Sequence, residues 1–252
     1  MANETQFPTE VVELPSNGYF YPKDSPLASG KLEMKYMTAK EEDILTSPNL
    51  LKQGIAIDKL LEALIVDKNI NIGDLLIGDK NSLIIAARIL AYGKMYEFTT
   101  YDETSEEVNV TVDLTTLNDK EIDFDKLPQG INEFPFELPN SKRPIILRFL
   151  THTDEKEIVK EVEALKKISN SIVTTMTSRM KRLIVSVDGN SEKQYIHNFV
   201  DTEFLSVDSL ELRRYLNSIN PDINMTTIAT FPDGREEEVA VEITAQFFWP
   251  PA

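Results

Sequence analysis

Cysteine is absent from the 252-residue chain, so disulfides, thiolate zinc sites and cysteine nucleophiles are excluded. Histidine occurs only as His152 and His197, far apart in sequence, and a zinc site would need more ligands of the preferred kinds. Positive charge is scarce: 26 Lys and Arg stand against 42 Asp and Glu, and the net charge of −16 repels phosphate backbones and anionic lipid. Nucleic acid and membrane are therefore poor partners to expect. No run of about 18 apolar residues is present, which argues against a spanning helix, and "MANETQFPTE" lacks the basic and apolar regions of a signal peptide. The expected location is the cytoplasm. An apolar fraction of 41% is ordinary for a folded protein and unlike a disordered one.

What is present includes a repeat. Glu13-Leu14-Pro15 precedes Ser16-Asn17, and Glu137-Leu138-Pro139 precedes Asn140-Ser141. With Leu32 aligned on Ile145, Lys35 meets Arg148, Thr38 meets Thr151, Glu41 meets Asp154 and Glu42 meets Glu155. Each copy reads as an apolar strand carrying one cation, a threonine, and a helix start. Ser/Thr-x-x-Asp/Glu satisfies orphan backbone N–H groups and places carboxylate at the positive helix end. Further on, Asn81-Ser82-Leu83 matches Asp208-Ser209-Leu210, each opening a helical pattern: Ile85, Ile89 and Tyr92 in one, Leu212 and Leu216 in the other. Each is followed by an alternating hairpin, "MYEFTT" with "VNVTVDL" and "MTTIATF" with "VAVEITA". The common order predicts an α+β protein of two related lobes, an internal duplication, each lobe with a short β element, capped helices and a terminal β-hairpin. The expected division is an N-terminal lobe over 1–120, a connector over 121–134 rich in Asp and Asn, and a C-terminal lobe over 135–252.

Between these landmarks the halves differ. Ile57, Leu60, Leu61 and Leu64 form a short apolar face in the first. In the second, Ile158, Val162, Leu165, Ile168, Ile172, Met176, Met180 and Leu183 recur at three- and four-residue steps, predicting one helix of ~30 residues or two joined near Ser169-Asn170-Ser171.

No catalytic constellation emerges. Glu41-Glu42-Asp43 at a helix start is read as solvated and dipole-complementing before metal-binding. "IGDKNS" lacks the glycine spacing of a phosphate loop. His152 has no serine or carboxylate in a recognised arrangement and reads as a partly exposed polar residue. "VSVDGNSEK" reads as a hairpin or turn, and "SVDSLE" as a cap with Asp208 at the capping position. No cofactor and no metal is expected. The candidate partner-binding residues are Met176 and Met180, whose adaptable side chains suit a docking face as well as a core, and the terminal rings Phe247, Phe248 and Trp249. Those rings follow an alternating strand, so successive rings should face opposite ways, with packing on the protein's own body favoured over an anchor for a partner.

"LPSNGYFYPKDSPLASGKLEMKYMTAKEEDILTSPNLLKQGIAIDKLL", "LLIGDKNSLIIAARILAYGKMYEF", "ELPNSKRPIILRFLTHTDEKEI", "DSLELRRYL" and "FFWP" together resemble the baseplate hub assembly proteins of T4-like contractile-tailed bacteriophages over nearly the whole chain. The resemblance implies a non-enzymatic tail morphogenesis protein that binds phage baseplate hub or tail structural proteins in the host cytoplasm. A structural hub component retained in the virion is the nearest alternative; an acidic metal-dependent hydrolase is the distant one. Relatives with Cys-x-x-Cys pairs at hairpin tips differ from this chain, whose tips "YDETSEE" and "PDGREEE" hold none, so its hairpins stand on cross-strand pairs and packing.

Overall fold

Alternation decides the first element. In the computed structural model, which describes residues 8–101, 107–168 (backbone alone for 167 and 168), 175–231, 234–243 and 247–249, Leu32 and Met34 point into the core while Lys31 and Glu33 face solvent. That strand, β2 (Lys31–Lys35), pairs antiparallel with β1 (Thr9–Glu13). Between them the chain turns tightly through Gly18 (φ 73°), where a Cβ would lie 2.5 Å from the Ala28 carbonyl oxygen. Helices α1 (Ala39–Thr46), α2 (Pro48–Lys52) and α3 (Ala56–Leu64) follow, and the chain then returns to the sheet, Ile65 bridging to Met34. Helix α4 (Ile77–Tyr92) leads into the hairpin of β3 (Met95–Tyr101) and β4 (Glu107–Asp113), whose inner face carries Tyr96, Phe98, Val108, Val110 and Val112.

The second half begins with β5 (Phe134–Glu137) and β6 (Pro144–Leu147). Helices α5 (His152–Ile168) and α6 (Thr175–Leu183) come next, and β7 (Ile184–Val187) completes a three-stranded sheet in the order β5-β6-β7. Helices α7 (Lys193–Thr202) and α8 (Ser206–Ile219) and the hairpin of β8 (Thr226–Thr230) and β9 (Glu236–Ala240) end the ordered elements. The fold is α+β, as the sequence pattern indicates. Among the described residues no helix is long and apolar enough to cross a membrane.

Both helix starts use the same device. The Glu41 carboxylate accepts from the Thr38 N–H (3.1 Å) and hydroxyl, and the Lys35 ammonium pairs with it at 2.7 Å. In the other half the Asp154 carboxylate accepts from the Thr151 N–H and hydroxyl, both at 2.9 Å, and pairs with Arg148. Burial would raise both carboxyls; the cation and the threonine donors reverse this, holding Glu41 at about 2 and Asp154 below the usual range. Glu41 is thus buried rather than solvated, which corrects the expectation for it, while Glu42 and Asp43 are exposed. Thr38→Ala and Thr151→Ala are each expected to destabilise by about 1 kcal/mol, measured as a lower urea midpoint at unchanged slope.

The long apolar stripe divides into two helices that fold back on each other, with Arg179 paired to Glu155, Arg182 to Glu157 and Ser178 Oγ donating to Glu161 at 3.3 Å. A 30-residue helix would carry its stripe along one line; here Ile158 and Val162 of α5 and Met180 and Leu183 of α6 are buried together, and Leu165 and Met176 are exposed. The expected joint at Ser169-Asn170-Ser171, like Ile172, lies outside the described residues. The second hairpin also differs from expectation. Its return strand is Glu236–Ala240 rather than "VAVEITA", so the polar glutamates occupy the ladder and Val241 leaves it for the core.

Residues from 14 to 248 form one continuous apolar cluster. The segment 121–134 belongs to it: Leu127 is buried, its carbonyl accepts from the Tyr19 hydroxyl (3.0 Å), and Gly130 N–H donates to Tyr19 O (2.7 Å). Main-chain bonds cross between the halves, from His152 N–H to Leu75 O (2.8 Å) and from Lys120 N–H to Asp222 O (2.8 Å). At the first turn of α4 a Cβ on Gly78 would lie 1.9 Å from the Pro221 carbonyl oxygen, so only glycine permits that approach.

Candidate functional site

The helices α6 and α8 do not close on each other completely. A groove of about 550 Å³ runs between them, floored by Phe149, Leu150, Met180, Leu183 and Leu216 and reached at its near end by Ile77 of α4. Met180 is buried in the floor and Met176 stands on the rim with half of its surface exposed; Ser209 Oγ lies 4.0 Å from the Met176 sulfur. The two methionines singled out from the sequence therefore meet in one place, one turn apart on α6. Methionine is unbranched and polarisable, so a groove built on it adapts to the shape of an apolar ligand.

The polar rim is selective. Arg179 is held by Glu155. Exposed Arg213 donates its Nε–H to Ser209 O at 3.2 Å and has no carboxylate partner among the described residues. Asp222 accepts from Asn81 Nδ2 at 3.0 Å. An apolar floor with an unpaired guanidinium at its edge suits a protein segment carrying apolar anchors and one carboxylate.

The terminal rings are placed differently from Met176. Phe247 and Phe248 are buried in the protein's own body, Phe247 edge-on to Tyr96 with ring centroids 4.9 Å apart. Trp249, partly buried, lies beside Leu51, Ile57 and Ile84 of the first half. The expectation that successive rings point to opposite faces fails for a physical reason. The ladder ends at Ala240, and residues 247–249 lie in a turn, where the two-residue alternation of a strand does not apply.

Besides Glu41 and Asp154 at the helix starts, Asp58, Asp79 and Asp208 are buried. Asp58 on α3 accepts from Lys80 of α4 (2.8 Å), from His152 Nε2 (2.8 Å) and from Lys156 of α5 (3.1 Å). His152 is thus a buried partner of a carboxylate, not the partly exposed residue expected. Burial pushes the Asp58 carboxyl up, but His152, Lys80 and Lys156 outweigh it and hold the group well below the usual carboxylate range; burial lowers Lys80 against the pull of Asp58. Asp58, Lys80 and His152 are enclosed while Lys156 reaches in from the surface, and together they join the two halves as an ionic clasp.

Asp79, wholly buried in the first turn of α4, accepts from the Ser16 N–H (2.9 Å) and hydroxyl (2.7 Å) and from Tyr21 Oη (2.6 Å). Asp208, also wholly buried, accepts from the N–H groups of Asn140 (2.8 Å) and Ser141 (3.0 Å). Each therefore fastens the loop after a Glu-Leu-Pro sequence. Burial raises the Asp79 carboxyl despite its donors, whereas at Asp208 the donors from Ser141 and Asn140 overcome burial and lower it. Asp208 lies inside the first turn of α8, which starts at Ser206 after Leu205, so it is not the cap expected from "SVDSLE". Its counterpart is Asp79, not Asn81. Sequence reasoning passed over Asp58 and Asp79. The available signal for Asp58 was an acidic residue one turn before Leu61, within the apolar pattern of α3.

Among the described residues no group of three or more His, Asp and Glu is arranged to hold a metal ion. No family model matches the chain, and the comparisons with curated proteins and with solved structures found no match.

Proposed function

We propose that this chain is a non-enzymatic tail morphogenesis protein of a contractile-tailed bacteriophage, which assists baseplate hub assembly by binding a structural subunit in the groove between α6 and α8. The observation that carries the reading is the groove itself: a methionine-lined apolar floor, an exposed Met176 and an unpaired Arg213 at the rim. Its occupant is an apolar segment of a hub subunit with a carboxylate facing Arg213. The sequence resemblance supplies the biological setting, and with it the host cytoplasm as the place of action. The charge of −16 disfavours nucleic acid and anionic lipid as partners. The recurring strand, threonine cap and Asp-fastened loop support the reading of the two halves as copies of one ancestral unit.

Pull-down from infected cells tests the function. The wild-type chain should recover a hub structural subunit, and Met176→Glu should recover at least about ten-fold less, since the added carboxylate is either buried in an apolar contact or takes Arg213 from the ligand, at a cost above about 1.4 kcal/mol. Its melting temperature should stay close to wild type because Met176 is half exposed. Equal recovery by the variant would remove the groove from the account. Mass spectrometry of finished particles against assembly intermediates separates an assembly factor from a retained hub component.

A further inference from the structure

A second cavity, of about 620 Å³, lies at the start of α7 and gathers four cations, Arg148, Lys181, Arg182 and Lys193, together with His197. In a chain with 42 acidic side chains, the lining contains one acid, Glu133. Three of the cations already have partners: Arg148 with Asp154, Lys181 with Asp201 (2.7 Å), and Arg182 with Glu157. Lys193 and His197 have none among the described residues, and they stand one turn apart on the same face of α7.

The backbone adds to this. Helix α7 spans ten residues, and its capping residue Glu192 makes no side-chain bond to the first turn. The first bond of the helix runs from Ile196 N–H to Glu192 O (3.0 Å), so the N–H groups before Ile196 belong to the open end beside Lys193. Ser191 lines the same space. A lysine, a histidine, a serine and a helix N-terminus lining one cavity form a setting for an oxyanion. The remaining wall, Ile184, Val185 and Ile196, is apolar, and the volume is that of a small-molecule site.

We propose that this cavity binds the phosphate group of a small phosphate ester, held by Lys193, His197 and the α7 N-terminus. The carbon skeleton rests on Ile184 and Ile196, and Glu133 accepts from a hydroxyl of the ligand. The site is separate from the groove between α6 and α8, and occupancy of one does not require the other.

The test is titration of the full chain with inorganic phosphate and with ribose 5-phosphate, following backbone amide shifts of residues 191–197 at constant ionic strength, with sodium chloride as the control. Saturable shifts with both phosphates are expected, with at least ten-fold weaker binding by the K193Q/H197Q double variant, whose positions are exposed and partly buried. Shifts that rise linearly and match those of chloride would overturn the proposal. So would equal affinity in the double variant, or tighter binding of citrate than of either phosphate.

Discussion

Asp58→Ala is expected to destabilise the folded protein by about 3–5 kcal/mol, because removing one member of a buried ionic cluster leaves the others desolvated without a counter-charge. Lys80 and His152 expose little of their side chains and meet no other carboxylate oxygen within bonding distance among the described residues, so they cannot recover the loss. Lys156 is the internal contrast. Its side chain is 44% exposed, and Lys156→Ala should cost less than about 1 kcal/mol. Denaturant unfolding of the two variants at neutral pH measures the difference. Acid supplies a second reading. The folded Asp58 carboxyl lies below its ordinary value of 3.8, so the stability it contributes is present above 3.8 and is lost as pH falls toward the folded value. The gap between wild type and Asp58→Ala should therefore narrow in that acid range. A gap that widens there would show that the clasp has the wrong sign.

Phe247→Ala should be equally severe, at about 3–5 kcal/mol, as expected for truncating an aromatic ring in a core that cannot collapse around the void. Phe247 is fully buried, packed edge-on against Tyr96 and against Phe248, whose centroid is 5.2 Å away. Tyr96 also ties the C-terminal segment down, its hydroxyl donating to Glu242 O at 2.9 Å. Truncating Phe247 thus removes one of the contacts that fix the end of the chain on the first hairpin. Urea unfolding should show a lower midpoint with an unchanged slope. Trp249→Ala, at a partly exposed position, should cost less. The reverse ranking would mean that Trp249 is the ring that secures the end.

Much of this organisation is legible in the residues. The α+β class, the strand before each capped helix and the first hairpin follow from period-two and period-3.6 patterns together with Thr38-x-x-Glu41 and Thr151-x-x-Asp154. The break between α5 and α6 is harder to see, since an apolar stripe continues in register across it and only packing shows that its two parts face each other. In the second hairpin Glu236, Glu237 and Glu238 read as a tip but form the return strand; on a hairpin with a solvated outer face, glutamates are admissible ladder residues.

The groove was half legible. The spacing of Met176 and Met180 puts them on one face of α6, but the other wall, including Arg213 and Leu216 of α8, comes from residues distant in sequence. The clasp was the least legible feature. Asp58, Lys80 and His152 carry no motif, and their association depends on the docking of α3, α4 and α5. The placement of the terminal rings failed for a related reason. Alternation does not hold past Ala240, where the chain has already left the ladder to reach Tyr96.

The claim that the α6–α8 groove receives a hub subunit is tested most directly by placing a photo-crosslinking side chain at position 176, irradiating infected cells and identifying the attached peptide by mass spectrometry. The account predicts a single dominant crosslink to an apolar segment of a baseplate hub protein that contains an Asp, a Glu or a chain terminus able to reach Arg213. Crosslinks scattered over unrelated proteins, or confined to this chain itself, would contradict it.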